Sequence, residues 1–92
     1  MTAQSFAEFE TRAREQGFHE VLVREWAPGQ VVATHTHPFD VRALVVRGEL
    51  VLSCGGQEIR LSAGQPFELP RHTPHEERYG PQGATFWVAR RN

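Results

Sequence analysis

The stretch "GQVVATHTHPFDVRALVVRG", Gly29 to Gly48, decides how this chain is read. Two runs rich in valine, too short for helices, flank the segment Thr34-His35-Thr36-His37-Pro38. Side chains two apart on a strand share a face, with Cα atoms about 6.5–7 Å apart. A regular strand would point His35 and His37 the same way, with Val31 and Ala33 beside them and Val32, Thr34 and Thr36 opposite. Imidazoles at that separation can converge on one ion, with bonds of about 2.0–2.1 Å. Packing alone can also explain a His-x-His pair. A third histidine, His75 in "PRHTPHEERY", follows a proline turn inside another strand-like run and favours metal.

Outward from this stretch the pattern continues. "HEVLVREW", "QVVATHTH", "VRALVVR", "ELVLSC", "QEIRL", "PFEL", "HEERY" and "ATFWVARR" each fit a strand. The breaks "APGQ", "CGGQ", "SAGQP", "LPRHTP" and "YGPQG" carry turn chemistry, and Gly55-Gly56 is a two-residue hairpin signal. Short strands at close, even spacing argue for a sandwich or barrel. One helix is expected in "SFAEFETRAREQG", where Ser5 and Glu8 have capping-box spacing, Phe6, Phe9 and Ala13 form a stripe, and Gly17 is a stop signal.

The 92 residues are expected to form one domain, 1–92, with 1–18 as helix and lead-in and 19–92 as the β portion. So short a chain buries only about 60–70% of its unfolded surface, so a homodimer is the expected state. The formal charge of −1 gives no reason to expect nucleic acid or an acidic membrane as partner. A single cysteine, Cys54, excludes an internal disulfide. With no basic stretch leading into a long apolar run, a cytoplasmic location is expected.

The register of glycines and histidines resembles the cupin superfamily. Its first motif is matched by Gly29, the five residues QVVAT, His35-Thr36-His37, the gap PFD, Val41, the six residues RALVVR and Gly48. Its second is matched by Gly64, QPFEL, Pro70-Arg71-His72, TP, His75, EER and Tyr79, with fifteen residues between Gly48 and Gly64. The resemblance implies an all-β fold, a small double-stranded β-helix (jelly-roll) barrel with one short N-terminal helix. It also implies that His35, His37 and His75 bind a divalent metal at the barrel mouth beside a small-molecule ligand. A binding or sensor module without catalysis is the alternative to an enzyme, and a degenerate structural barrel is a third reading.

Val41 stands where the family has a metal-binding glutamate, and valine cannot coordinate. Three neutral imidazoles still make a competent site, with preference shifted toward Zn, Fe, Ni or Cu. In that ligand set the chain is similar to cupin dioxygenases that hold iron with three histidines, so a metal-dependent oxidoreductase or isomerase is the enzyme class implied. Two acids are candidates to compensate. Asp40 should face away from Val41's side unless a bulge follows Pro38-Phe39, whereas Glu77 shares a face with His75. Glu77 and Tyr79, which takes the place of the motif asparagine, are the candidate acid–base groups. Their bland alternatives are an arginine-paired carboxylate at the rim and a packed ring with a bonded hydroxyl. His72, in the place of the motif glycine, is expected in a turn, His19 on the surface, and Cys54 buried. Leu44 and Val46 should face away from the metal, under the helix or a second subunit.

Overall fold

Ser5 and Glu8 form the expected capping box in the computed structural model, which describes residues 5–92. The Ser5 hydroxyl accepts from the Glu8 N–H and the Glu8 carboxylate accepts from the Ser5 N–H, both at 3.1 Å. Helix α1 runs Phe6–Glu15. Six strands follow: β1 Glu20–Trp26, β2 Val31–His35, β3 Asp40–Cys54, β4 Gln57–Ser62, β5 Pro66–Leu69 and β6 His75–Arg91. Gly55-Gly56 makes the turn between β3 and β4, as its composition implies.

Six strands rather than eight arise because β3 and β6 are each two of the expected runs in one. Both are long enough to serve two sheets. The first half of β3 pairs with β5 and with the second half of β6, which in turn pairs with β1. The second half of β3 pairs with β4 and with the first half of β6, which pairs with β2. All pairings are antiparallel, and the two leaves close face to face as a small jelly-roll.

The corners lie where glycines interrupt the apolar alternation. Ala43 and Val45 point inward before the corner of β3, and Leu50 and Leu52 after it, so the phase of burial reverses. Register shifts between Val45 and Arg47 and between Gly48 and Leu50 absorb the change. In β6, His75, Glu77 and Tyr79 face in on one side of residues 80–83, and Phe86 and Val88 on the other. A turn reading of "YGPQG" is natural, but these residues bend a continuous strand against Glu49 instead of ending it.

Between the leaves lie Val45, Leu50, Leu52, Leu61, Leu69, Tyr79, Phe86 and Val88. Val45 and Leu50 are wholly buried, each contributing about 1.5–3 kcal/mol of hydrophobic stabilisation. A second cluster forms on the outer face of the β1-containing leaf. There Phe9 and Ala13 of α1, with Phe18, cover Ala89, Leu44, Val21 and Trp87. Leu44 thus lies under the helix, as its outward position requires, and Val46 is half-buried. No helix among the described residues is long and apolar enough to cross a membrane.

Candidate metal centre

His35 ends β2, His75 begins β6, and the two are directly paired in the ladder. One irregularity aims His35 correctly. Val32 pairs with Glu77 and His35 with His75, so three steps along β2 match two along β6. This bulge puts Val32 and His35 on the same inner side and turns Val31 out, 61% exposed. Unbroken alternation would have placed Val31 with the histidines, and the bulge overturns that expectation. His37 lies beyond the end of β2, its carbonyl accepting from the His72 N–H at 2.8 Å. His72 itself has φ +65 in the 71–72 turn and is exposed, as is His19. Cys54 is half-buried against the core beside His75 in the ladder.

The imidazoles of His35, His37 and His75 converge, with potential ligand atoms all within 4.8 Å of one another. Nδ1 of His35 lies 2.7 Å from the Ala33 carbonyl, and Nδ1 of His75 2.9 Å from the Thr73 carbonyl. A carbonyl can only accept, so each Nδ1 carries a proton, and in the neutral ring that leaves Nε2 as the ligand atom. Burial, followed by the neighbouring His35 and His75, pushes the His37 pKa down and favours its neutral form. Three imidazole nitrogens converging in a half-enclosed pocket can hold a metal ion.

Glu77 lies beside two of the three. It is buried, with Oε2 3.5 Å from His35 Nε2 and 3.6 Å from His75 Nε2. Its other oxygen, Oε1, accepts from the Tyr79 hydroxyl. Burial first, then the bond to Glu77, pushes the Tyr79 pKa far up, so the phenol stays protonated and donating. Tyr79 also stacks on Trp26, with ring centroids 5.0 Å apart, and belongs to the core.

Asp40, the other candidate acid, is engaged elsewhere. Its Oδ1 accepts from the Arg71 N–H at 2.8 Å and its Oδ2 from Arg91 Nη2 at 3.2 Å. No bulge turns it inward; it remains a structural tie between the 70–72 turn, β3 and β6. The Arg71 side chain, then the Arg71 backbone N–H, hold its pKa at about 2, below the ordinary 3.8. The folded state therefore binds fewer protons than the unfolded state between these values. The stabilisation is present above about pH 4 and is lost as pH falls toward about 2. Asp40→Asn should lower the melting temperature at neutral pH and flatten its acid dependence in that window. Melts across the range check this; an unchanged slope would mean that the tie does not contribute.

A cavity of about 290 Å³ opens beside the imidazoles. Its walls include the four groups just described, the apolar side chains Val41, Phe67 and Val88, and Arg24, Trp26 and Arg90. Val41 is nearly buried there, an apolar wall where the resemblance leads one to look for an acid. Arg24, Trp26 and Arg90 carry no motif, and sequence reasoning passed over both arginines. The available signal was the alternation in β1, which sets Arg24 and Trp26 on the same face.

The cupin domain model matches residues 22–84. The chain belongs to the cupin family. Among solved cupin-fold structures it is similar to KdgF from a Halomonas species, with 26% identity and a TM-score of 0.67 over 78% of this chain and 67% of that one. It is also similar to a chain from the structures of the DMSP lyases RdDddP and RnDddQII, with 25% identity and a TM-score of 0.72. That match covers 78% of this cupin and 37% of the lyase chain, so the present sequence spans little more than a third of it. A protein from Rhizobium leguminosarum matches in fold over 99% of this chain and 96% of its own, at 19% identity and a TM-score of 0.71. No functionally curated protein matches the sequence.

Proposed function

We propose that this cupin binds one divalent transition metal through His35, His37 and His75 and holds a small molecule in the adjoining cavity. The observation that carries the reading is the convergence of the three imidazoles, with Nδ1 of His35 and of His75 each held by a backbone carbonyl. Carbonyl-bonded Nδ1–H groups leave both Nε2 atoms facing one point, which His37 joins. Such orientation by backbone carbonyls is how metal-binding imidazoles are commonly held. Nitrogen donors favour zinc, iron, nickel or copper over magnesium or calcium.

Glu77 sets a carboxylate oxygen beside two of these imidazoles, from β6 instead of from the β3 position held by Val41. Tyr79 is a positioning residue: its hydroxyl fixes Oε1 so that Oε2 faces the imidazoles. When bound, the metal supplies a Lewis acid able to polarise an oxygen of the ligand. The apolar walls exclude water from that side, and Glu77 is the one carboxylate placed to accept a proton there. The names of similar structures include a lyase acting on DMSP, but the architecture hosts many reactions, so neither substrate nor reaction is carried over. Elemental analysis of protein purified without a histidine tag tests the reading. About one transition-metal ion per chain is expected; metal-free protein that also fails to take up added zinc would overturn it.

A further inference from the structure

The cavity walls have an imbalance that metal binding leaves unresolved. Trp26 and Arg90 line this cavity, but their donors Trp26 Nε1 and Arg90 Nε are buried away from it, and the β1–β6 register sets the two residues six positions apart. Arg24 lines it too, its guanidinium 4.9 Å above the Trp26 ring, and no carboxylate among the described residues pairs with it. Arg90 is partly neutralised by Glu20 at 2.9 Å and lies over Phe39 at 4.8 Å. The one acidic side chain of the lining, Glu77, is turned toward the imidazoles. Beside the metal group, then, the cavity offers the positive charge of Arg24 with no carboxylate to match.

The rest of the wall is apolar: Phe39, Val41, Phe67, Leu69, Phe86 and Val88. At about 290 Å³ the space is at the small end for organic ligands, which occupy sites of about 300–1,000 Å³. We infer that the ligand is a small organic monoanion, a carboxylate on a compact aromatic or branched aliphatic body, whose charge is held by Arg24. A carboxylate supplies the acceptors that the Arg24 guanidinium lacks, and a guanidinium presents its N–H groups in matching geometry. The apolar walls enclose the body, and a valine at position 41 removes a carboxylate that would repel such a ligand. This inference deepens the proposed function and rests on it, since the cavity is the one beside the metal group.

Calorimetric titration of untagged, zinc-loaded protein with benzoate and 3-methylbutanoate, each against its neutral amide, tests the inference. At least one carboxylate should bind about tenfold or more tightly than its amide, the size of one well-made charged contact. Arg24→Leu should abolish that preference while zinc content stays at one per chain, and Arg24→Lys should recover part of it. Equal binding of acid and amide, no binding of either carboxylate at millimolar concentration, or a preference that survives in Arg24→Leu each overturns the inference. Metal content, measured on the same samples, reports separately on the metal reading. A preference retained after the metal is removed places the charge on the arginine side; a preference that disappears with the metal puts it on the ion and overturns the inference.

Discussion

His35→Ala is expected to empty the metal centre, taking bound metal from about one ion per chain to less than about a tenth. Losing a single outer hydrogen-bond partner of a metal-binding histidine typically weakens affinity about 10–100-fold, and losing the donor itself should exceed that range. The effect should be equally plain in stability. A ligand that binds only the folded chain stabilises it by about 4 kcal/mol at a thousand times its dissociation constant, so added zinc should raise the wild-type melting temperature by many degrees. In His35→Ala that rise should vanish. Half-buried His35 lies at the end of β2, so the metal-free variant should still fold. Thr36→Ala and His72→Gly provide the contrast. Thr36 is exposed, and His72 contributes its backbone N–H to the site's surroundings. Both should keep their metal. Full metal content in His35→Ala would remove the three-histidine centre from consideration.

The order of glycines and histidines made this site legible because spacing along two strands encodes convergence in space. His35 and His75 stand directly across a ladder, as the two motifs together imply. What remained hidden was whatever depends on broken alternation. The bulge between Val32 and His35 has no special residue to mark it, and a period-two reading therefore put Val31 on the wrong face. At Gly48 and at residues 80–83, glycine and proline suggested ends of strands. Backbone pairing on both sides held the strand together there, and the glycines serve as corners. The arginines escaped for a different reason. Arg24 on β1 and Arg90 on β6 line one cavity because the first strand pairs with the last, a long-range partnership no local pattern encodes. Asp40 and Glu77 were separable in advance by strand phase alone, and the structure sets Glu77 at the imidazoles and Asp40 among arginines.

The corner at Gly48 should be the position where the smallest change does most damage to the fold. Its φ of +76 is one that L side chains rarely adopt, costing about 1–2 kcal/mol. More serious is space: a Cβ there would lie 2.0 Å from the Gly83 carbonyl oxygen and 2.8 Å from the Ala84 Cα. Those are backbone atoms of the neighbouring corner and cannot swing aside as a side-chain tip would. Gly83 is itself confined, since a Cβ on it would meet the Trp26 carbonyl at 2.2 Å. The two corners thus hold each other, and β3 cannot yield without shifting β6 and β1. Gly48→Ala should cost about 3–5 kcal/mol, a large share of the stability of any small domain. For a chain of this size that lowers the melting temperature by about 15 °C or more. Gly29→Ala separates the two contributions, because Gly29 has a similar φ of +67 but nothing within 4 Å of its would-be Cβ. That variant should lose only about 1–2 kcal/mol. If the two alanine variants melt together, the close approach of the corners is not what holds the two leaves of the barrel in place.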